Sequence, residues 1–146
     1  MLHTTSEVLS LVRKLEEDSA RFYEALSRRY RKDKDALLSF AKENRKNVAH
    51  VDRAYYGVIT DAIEGCFAFN MNPDDYRLNT ELPERVSYSK ALEQALEIEE
   101  KMIEIYSVAA EQSKYLMADI PRAFSFIVKK RGNQRSMVKS LLSGGV

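Results

Sequence analysis

Two stripes of apolar residues at helical spacing are each broken by a glutamate at the same point. In the first stretch the inward-spaced positions read Leu9, Val12, Glu16, Ser19, Tyr23 and Leu26. In a later one they read Leu92, Ala95, Glu99, Met102, Tyr106 and Ala109. Residues three and four apart share one helix face, so both glutamates point into the interior that the stripes bury. A carboxylate taken out of water is costly unless it is ion-paired, hydrogen-bonded or bound to metal. The chain must therefore form a polar centre inside a helical bundle.

The helical period runs through most of the sequence, and no β-type alternation persists. A first helix is predicted from Ser6 to about Tyr30, with Thr4 and Glu7 at the spacing of a capping box. Arg31 to Lys34 makes a short turn, and Asp33 or Asp35 stands ready to cap a second helix. That helix carries Leu37, Phe40, Ala41, Asn44, Val48, Val51, Tyr55 and Val58 on one face and ends near Gly65. A third helix spans about Ser89 to Met117. A fourth has Pro121 in its first turn with Asp119 just ahead of it, and carries Phe124, Ile127, Val128, Arg131, Gln134, Val138 and Leu141 inward. Ser143, Gly144 and Gly145 form a stop signal and a frayed tail.

Between Cys66 and Ser87 the period fails, and Pro73, Pro83 and a cluster of Asn and Asp residues take over. A connection longer than ~15 residues inside a compact domain needs a reason. The helices are roughly 35–40 Å long at ~1.5 Å per residue, and an extended segment of this size can return the chain along that whole length. The second and third helices are then parallel neighbours or diagonal partners, not a tight hairpin. The halves also repeat. A shift of 83 residues carries Leu9, Glu16 and Tyr23 onto Leu92, Glu99 and Tyr106, and a shift of 87 carries Leu37, Phe40 and Val51 onto Phe124, Ile127 and Val138. The expected architecture is all-α: two helical hairpins joined by a long crossover into a four-helix bundle, one domain over residues 1–146.

Composition excludes several classes. Apolar residues make up 45% and charged residues 31% of the 146, with a net charge of +1. Neither nucleic acid nor a membrane surface is advertised by such a balance, and no apolar run approaches the ~20 residues of a membrane span. The opening MLHTTSEVLSLVRK lacks the basic lead and apolar core of a secretory signal. The single cysteine, Cys66, cannot form an internal disulfide and is expected as a small buried apolar residue. These features point to the cytoplasm.

The segments LEEDSARFYEAL (Leu15 to Leu26) and IEEKMIEIYSVA (Ile98 to Ala109) resemble the first and third helices of rubrerythrin-type ferritin-like proteins, where a Glu seven residues before a Tyr binds iron. LLSFAKENRKN (Leu37 to Asn47) resembles the family's second helix, and FSFIVKKRGNQ (Phe124 to Gln134) its fourth. The resemblance implies a ferritin-like fold and a diiron site completed by a Glu-x-x-His motif on each of those two helices. This chain departs from it: Asn44 and Asn47 stand in the second helix, Arg131 and Gln134 in the fourth, so only Glu16 and Glu99 of six ligands remain.

Carboxamides are weak ligands for a transition metal, and a guanidinium is a permanent cation. The expectation is that Arg131 replaces the metal as counter-charge of Glu16 and Glu99, with the amides filling the remaining hydrogen bonds. No cofactor is then required, and the chain is a binding or assembly module, a homodimer or the partner of another protein. The alternative is a rubrerythrin-like diiron oxidoreductase acting on peroxide, oxygen or iron, although these residues hold no Cys-x-x-Cys pair for electron delivery. A one-turn slide of the second helix would put Asn47 and His50 in the motif, and Glu16, Glu99 and His50 could then hold one zinc or iron weakly.

Further residues carry smaller expectations. Tyr23 and Tyr106 pack in the core with hydroxyls reaching the polar centre. Phe67, Phe69 and Tyr76 cover one end of the bundle or form a dimer contact. His3 lies in a tail without signal. The basic clusters around Arg28 to Lys34 and Lys129 to Lys139 read as solvated faces. Gly132, costly inside a helix, relieves crowding beside Arg131 or allows a close helix contact.

Overall fold

The computed structural model of the protein describes residues 1–56, 67–116 and 119–144. Four helices dominate: α1 (Thr5–Arg29), α2 (Lys34–Tyr56), α3 (Tyr88–Gln112) and α4 (Asp119–Leu142). Short 3-10 turns lie at Arg31–Asp33 and Pro73–Tyr76. Among the described residues the sole β pairing is an isolated antiparallel bridge between Leu2 and Met71.

Local chemistry sets the helix ends. Thr4 Oγ1 accepts the Glu7 N–H at 3.2 Å, and the Glu7 carboxylate accepts the Thr4 N–H at 3.0 Å, closing the capping box that starts α1. Ser87 caps α3 by accepting the Lys90 N–H at 3.2 Å. The start of α2 differs from expectation. The 3-10 turn runs straight into the helix, and the Asp33 carboxylate accepts the Tyr88 hydroxyl at 2.7 Å, tying the α1–α2 turn to the start of α3. α3 stops short of the expected end: Ser113 folds its hydroxyl back onto the Ala109 carbonyl at 2.7 Å, as the chain leaves the helix. The expected end at Met117 lies outside the described residues, as do Val58, Gly65 and Cys66.

α1 packs most closely on α2, and α3 on α4; α2 also meets α4, and α1 meets α3. α2 and α3 are thus diagonal partners. Residues 67–87 follow the bundle from end to end. Leu2 and Met71 exchange backbone hydrogen bonds at 2.7 and 3.2 Å, and the Asn70 N–H reaches Gln112 at 2.8 Å. Further along, Gln94 donates to the Asn79 and Glu81 carbonyls, and Arg29 and Tyr30 donate to the Pro83 and Val86 carbonyls. The segment runs along α1 and against α3, so these two helices are antiparallel, and α2, reversed by its turn from α1, points the same way as α3.

The core holds the predicted inward positions of all four helices, including Leu9, Val12, Leu26, Leu37, Phe40, Met102, Phe124, Ile127 and Val138. Val48, Val128 and Leu141 reach only its margin. Three expectations change. His3 is pinned, its Nδ1 within 3.1 Å of the Phe69 carbonyl. Phe69 is buried edge-on to Phe124, whereas Phe67 is 72% exposed and contacts the His3 ring from outside. Tyr76 is buried along the side of the bundle, where Lys101 and Glu104 of α3 lie.

Candidate functional site

All four helices deliver polar side chains to one buried point. α1 contributes Glu16, Ser19 and Tyr23 from one face; α3 contributes Glu99 and Tyr106 at the same seven-residue spacing. α2 brings Asn44 and Asn47, and α4 brings Arg131 and Gln134, each pair one turn apart. Glu16, Glu99 and Arg131 have no accessible surface at all.

Arg131 stands at the centre. Its Nη1 donates to both oxygens of Glu99 at 2.9 and 2.8 Å, and its Nη2 donates to Glu16 Oε1. The tyrosines reach crosswise. Tyr23 on α1 donates to Glu99 on α3 at 2.6 Å, and Tyr106 on α3 donates to Glu16 on α1 at 3.0 Å. Gln134 Nε2 donates to Glu99 and to Asn44 Oδ1, both at 3.0 Å. The Asn47 amide bonds Glu16, and Asn44 Nδ2 donates to Ser19 Oγ at 2.8 Å. Buried charges are tolerable only when paired and hydrogen-bonded in this way, although Arg131 Nε and Asn47 Oδ1 are left without a partner among the described residues.

Two carboxylates face one guanidinium, which leaves an excess of negative charge if all are ionised. Burial pushes Glu16 above the usual carboxylate range, although Arg131, Asn47 and Tyr106 pull it back. Burial likewise drives Tyr23 and Tyr106 well above the ordinary phenol range, and their carboxylate partners push the same way. Both hydroxyls therefore keep their protons and act as donors. Arg131 is opposed by burial, but Glu16 and Glu99 outweigh it and hold the guanidinium charged.

These residues do not fit two iron ions. The centre offers two carboxylates, three carboxamides and no imidazole, and both carboxylates already meet a fixed cation. His50 is not among them: it is half-buried, and its ring stacks on Phe126 at 4.4 Å. The slid register is thereby corrected, since Asn44 and Asn47 face the centre. A residual site from Glu16, Glu99 and His50 falls with it, and among the described residues no three His, Cys, Asp or Glu side chains group so as to hold a metal. Cys66 lies outside the described residues.

Ser19 belongs to the centre, a role that sequence reasoning missed. Its one signal was a small hydroxyl at a stripe position that carries Met102 in the other half. Two cations of α4 are paired to acids on neighbouring helices, Lys130 to Glu43 at 2.7 Å and Arg135 to Glu100 at 2.9 Å. Gly132 relieves no crowding and makes no close contact, because a Cβ there would meet nothing within 4 Å. Among the described residues no helix is long and apolar enough to cross a membrane. Comparison with protein families, with curated proteins and with solved structures finds no match to this chain.

Proposed function

We propose that this chain is a rubrerythrin-like, ferritin-like bundle whose metal site has been rebuilt as an ion-paired network, and that it serves as a non-catalytic binding or assembly module. The observation that carries this reading is the fully buried Arg131, paired to both Glu16 and Glu99. A guanidinium tethered to α4 supplies the positive charge that those carboxylates need, but it cannot change oxidation state or be exchanged. Gln134 and Asn47 direct N–H groups at the carboxylates, as counter-charge chemistry requires and metal ligation does not. Support for the ferritin-like topology comes from the shared direction of α2 and α3 and from the segment laid along the bundle between them. What remains for the centre is to hold four helices in one register.

The test is elemental analysis of protein purified from medium supplemented with iron and manganese. Substoichiometric background is expected. A loading of about two metals per chain, the content of a two-metal site, would overturn the reading and revive the diiron oxidoreductase. Assembly as a homodimer is checked by sedimentation equilibrium on the same sample.

A further inference from the structure

α3 and α4 lie side by side, and each turns one row of residues to solvent. On α3 the outward positions are Glu93, Glu97, Glu100, Glu104, Ser107 and Glu111; on α4 they are Arg122, Ser125, Lys129, Gly132, Ser136 and Lys139. All are exposed except Gly132, which is half-buried. The steps alternate between three and four residues, so each row keeps to one helix face along its length. One helix thus presents acids, and its neighbour presents cations separated by small residues.

The two rows share a face of the bundle. Ser107 and Glu111 line one groove together with Arg122, Ser125 and Lys129, and further along Arg135 reaches Glu100 at 2.9 Å. Joined by a short connection, the two helices run antiparallel. These contacts therefore set Glu111 level with Arg122, Glu104 with Lys129, Glu100 with Gly132 and Glu93 with Lys139. Lys101 and Lys130 lie off this face: Lys101 donates to the Asp75 carbonyl, and Lys130 pairs with Glu43 of α2.

The charges of the face are only loosely used within the chain. Glu93, Glu104 and Glu111 lean on lysines three residues away, in pairs too exposed to hold strongly. Among the described residues Arg122, Lys129 and Lys139 pair with no acid, and Glu97 pairs with no cation. Gly132 is costly in a helix, and a Cβ there would meet nothing within 4 Å in its own chain.

We propose that this face is the contact between two copies of the chain, with α3 of each laid on α4 of the other. A twofold axis parallel to the helices, passing between the rows, produces this arrangement and closes the assembly at a dimer. Such an axis leaves heights along the helices unchanged. Each acid then meets in the partner the residue that lies level with it in its own chain. Glu111 meets the partner's Arg122, Glu104 the partner's Lys129 and Glu93 the partner's Lys139, each pair occurring twice. Glu97 and Glu100 fall opposite Ser136 and Gly132, where small residues leave room for them. Ala110 and Val128, half-buried in the groove between the rows, come together about the axis. Laying α3 on α3 would set acid against acid, and α4 on α4 cation against cation. The dimer rests on the assembly reading above and is independent of the metal content of the centre.

The experiment is sedimentation equilibrium on the full chain. At about 0.1 M salt a dimer is expected, weakened at least about tenfold at about 1 M, where the screening length shrinks to about 3 Å. Two triple variants, checked for native helicity by circular dichroism, test the face: Arg122→Glu, Lys129→Glu, Lys139→Glu in one chain, and Glu93→Lys, Glu104→Lys, Glu111→Lys in another. Each alone should be monomeric, since like charges then face each other. An equimolar mixture should dimerise again, because both contacts of the mixed pair are complementary. Should a triple variant fail to fold, position 132 decides. Gly132→Lys, opposite Glu100 of the partner subunit, should tighten the dimer and Gly132→Glu loosen it, each about fivefold because the contact occurs twice, while both improve the helix. A parent chain that is monomeric at about 0.1 mM, a reversed chain that dimerises alone, a mixture that stays monomeric, or equal effects of Lys and Glu at position 132 would overturn the contact. About two metals per chain would instead overturn the metal-free reading and leave the contact standing.

Discussion

Replacing Arg131 by Met removes the charge at the centre while keeping an unbranched side chain that still fills much of the space. Arg131, Glu16 and Glu99 are wholly inaccessible, and the guanidinium contacts both carboxylates directly. Removing one partner of a buried pair costs about 3–5 kcal/mol, because the remaining charge stays out of water. Here two carboxylates would be stranded together, so the loss belongs at the upper end. Against a total of about 5–15 kcal/mol for an ordinary domain, that is a large fraction of the stability. The loss also depends on pH. Glu16 already sits above its unfolded value, so the folded state binds more protons than the unfolded state, and stability falls as pH rises through the folded pKa. Without Arg131 this shift grows, and the penalty should be larger at pH 8 than at pH 5. Urea unfolding followed by circular dichroism at both values, with the slope checked for constancy, measures it. The triple variant Glu16→Gln, Glu99→Gln, Arg131→Met removes all three charges and should recover most of the loss. A change below about 1 kcal/mol at pH 8, the worth of an exposed pair, would refute the counter-charge role of Arg131.

The crosswise tyrosines are separable. Tyr23→Phe and Tyr106→Phe should each cost about 1.5–3 kcal/mol, the range for hydrogen bonds to charged groups, with Tyr106→Phe the more harmful because Glu16 receives two other hydrogen bonds and Glu99 three. Urea midpoints decide the order, and equal or reversed costs would count against this division of donors. Gly132→Ala should stabilise the protein by up to about 1 kcal/mol, since helix propensity improves and the new Cβ meets nothing within 4 Å; a lowered melting temperature would show that the position is packed after all.

Much of this architecture can be read from spacing alone. The stripes of α1 and α3, the capping box at Thr4 and the polar positions Asn44, Arg131 and Gln134 all depend on local spacing. Even the pairing of Arg131 with two glutamates follows, because a buried carboxylate has few affordable partners. What sequence could not supply depends on how helices approach one another. The reach of Tyr23 to Glu99 rather than to Glu16 on its own helix is a matter of bundle geometry. Ser19 looks like a small packing residue until Asn44 is placed opposite. The pinning of Leu2 and His3 by residues 69–71 leaves no periodic trace, since an isolated bridge needs only backbone groups. Gly132 misled because its cost is intrinsic, while its surroundings, open space in this case, belong to the fold.

The matched positions of the two hairpins carry unlike residues where they meet: Asn44 and Asn47 on one side, Arg131 and Gln134 on the other. Two copies of the first hairpin would bring two carboxylates and no cation to the centre. Two copies of the second would crowd a pair of guanidiniums into the space that Arg131 now shares with Asn44, without Ser19 to receive them. The halves have thus become obligate, unequal partners, a heterodimer in all but its single chain. Neither hairpin should be able to stand in for the other, and a chain cut within the long connection should regain its structure only when both pieces are mixed.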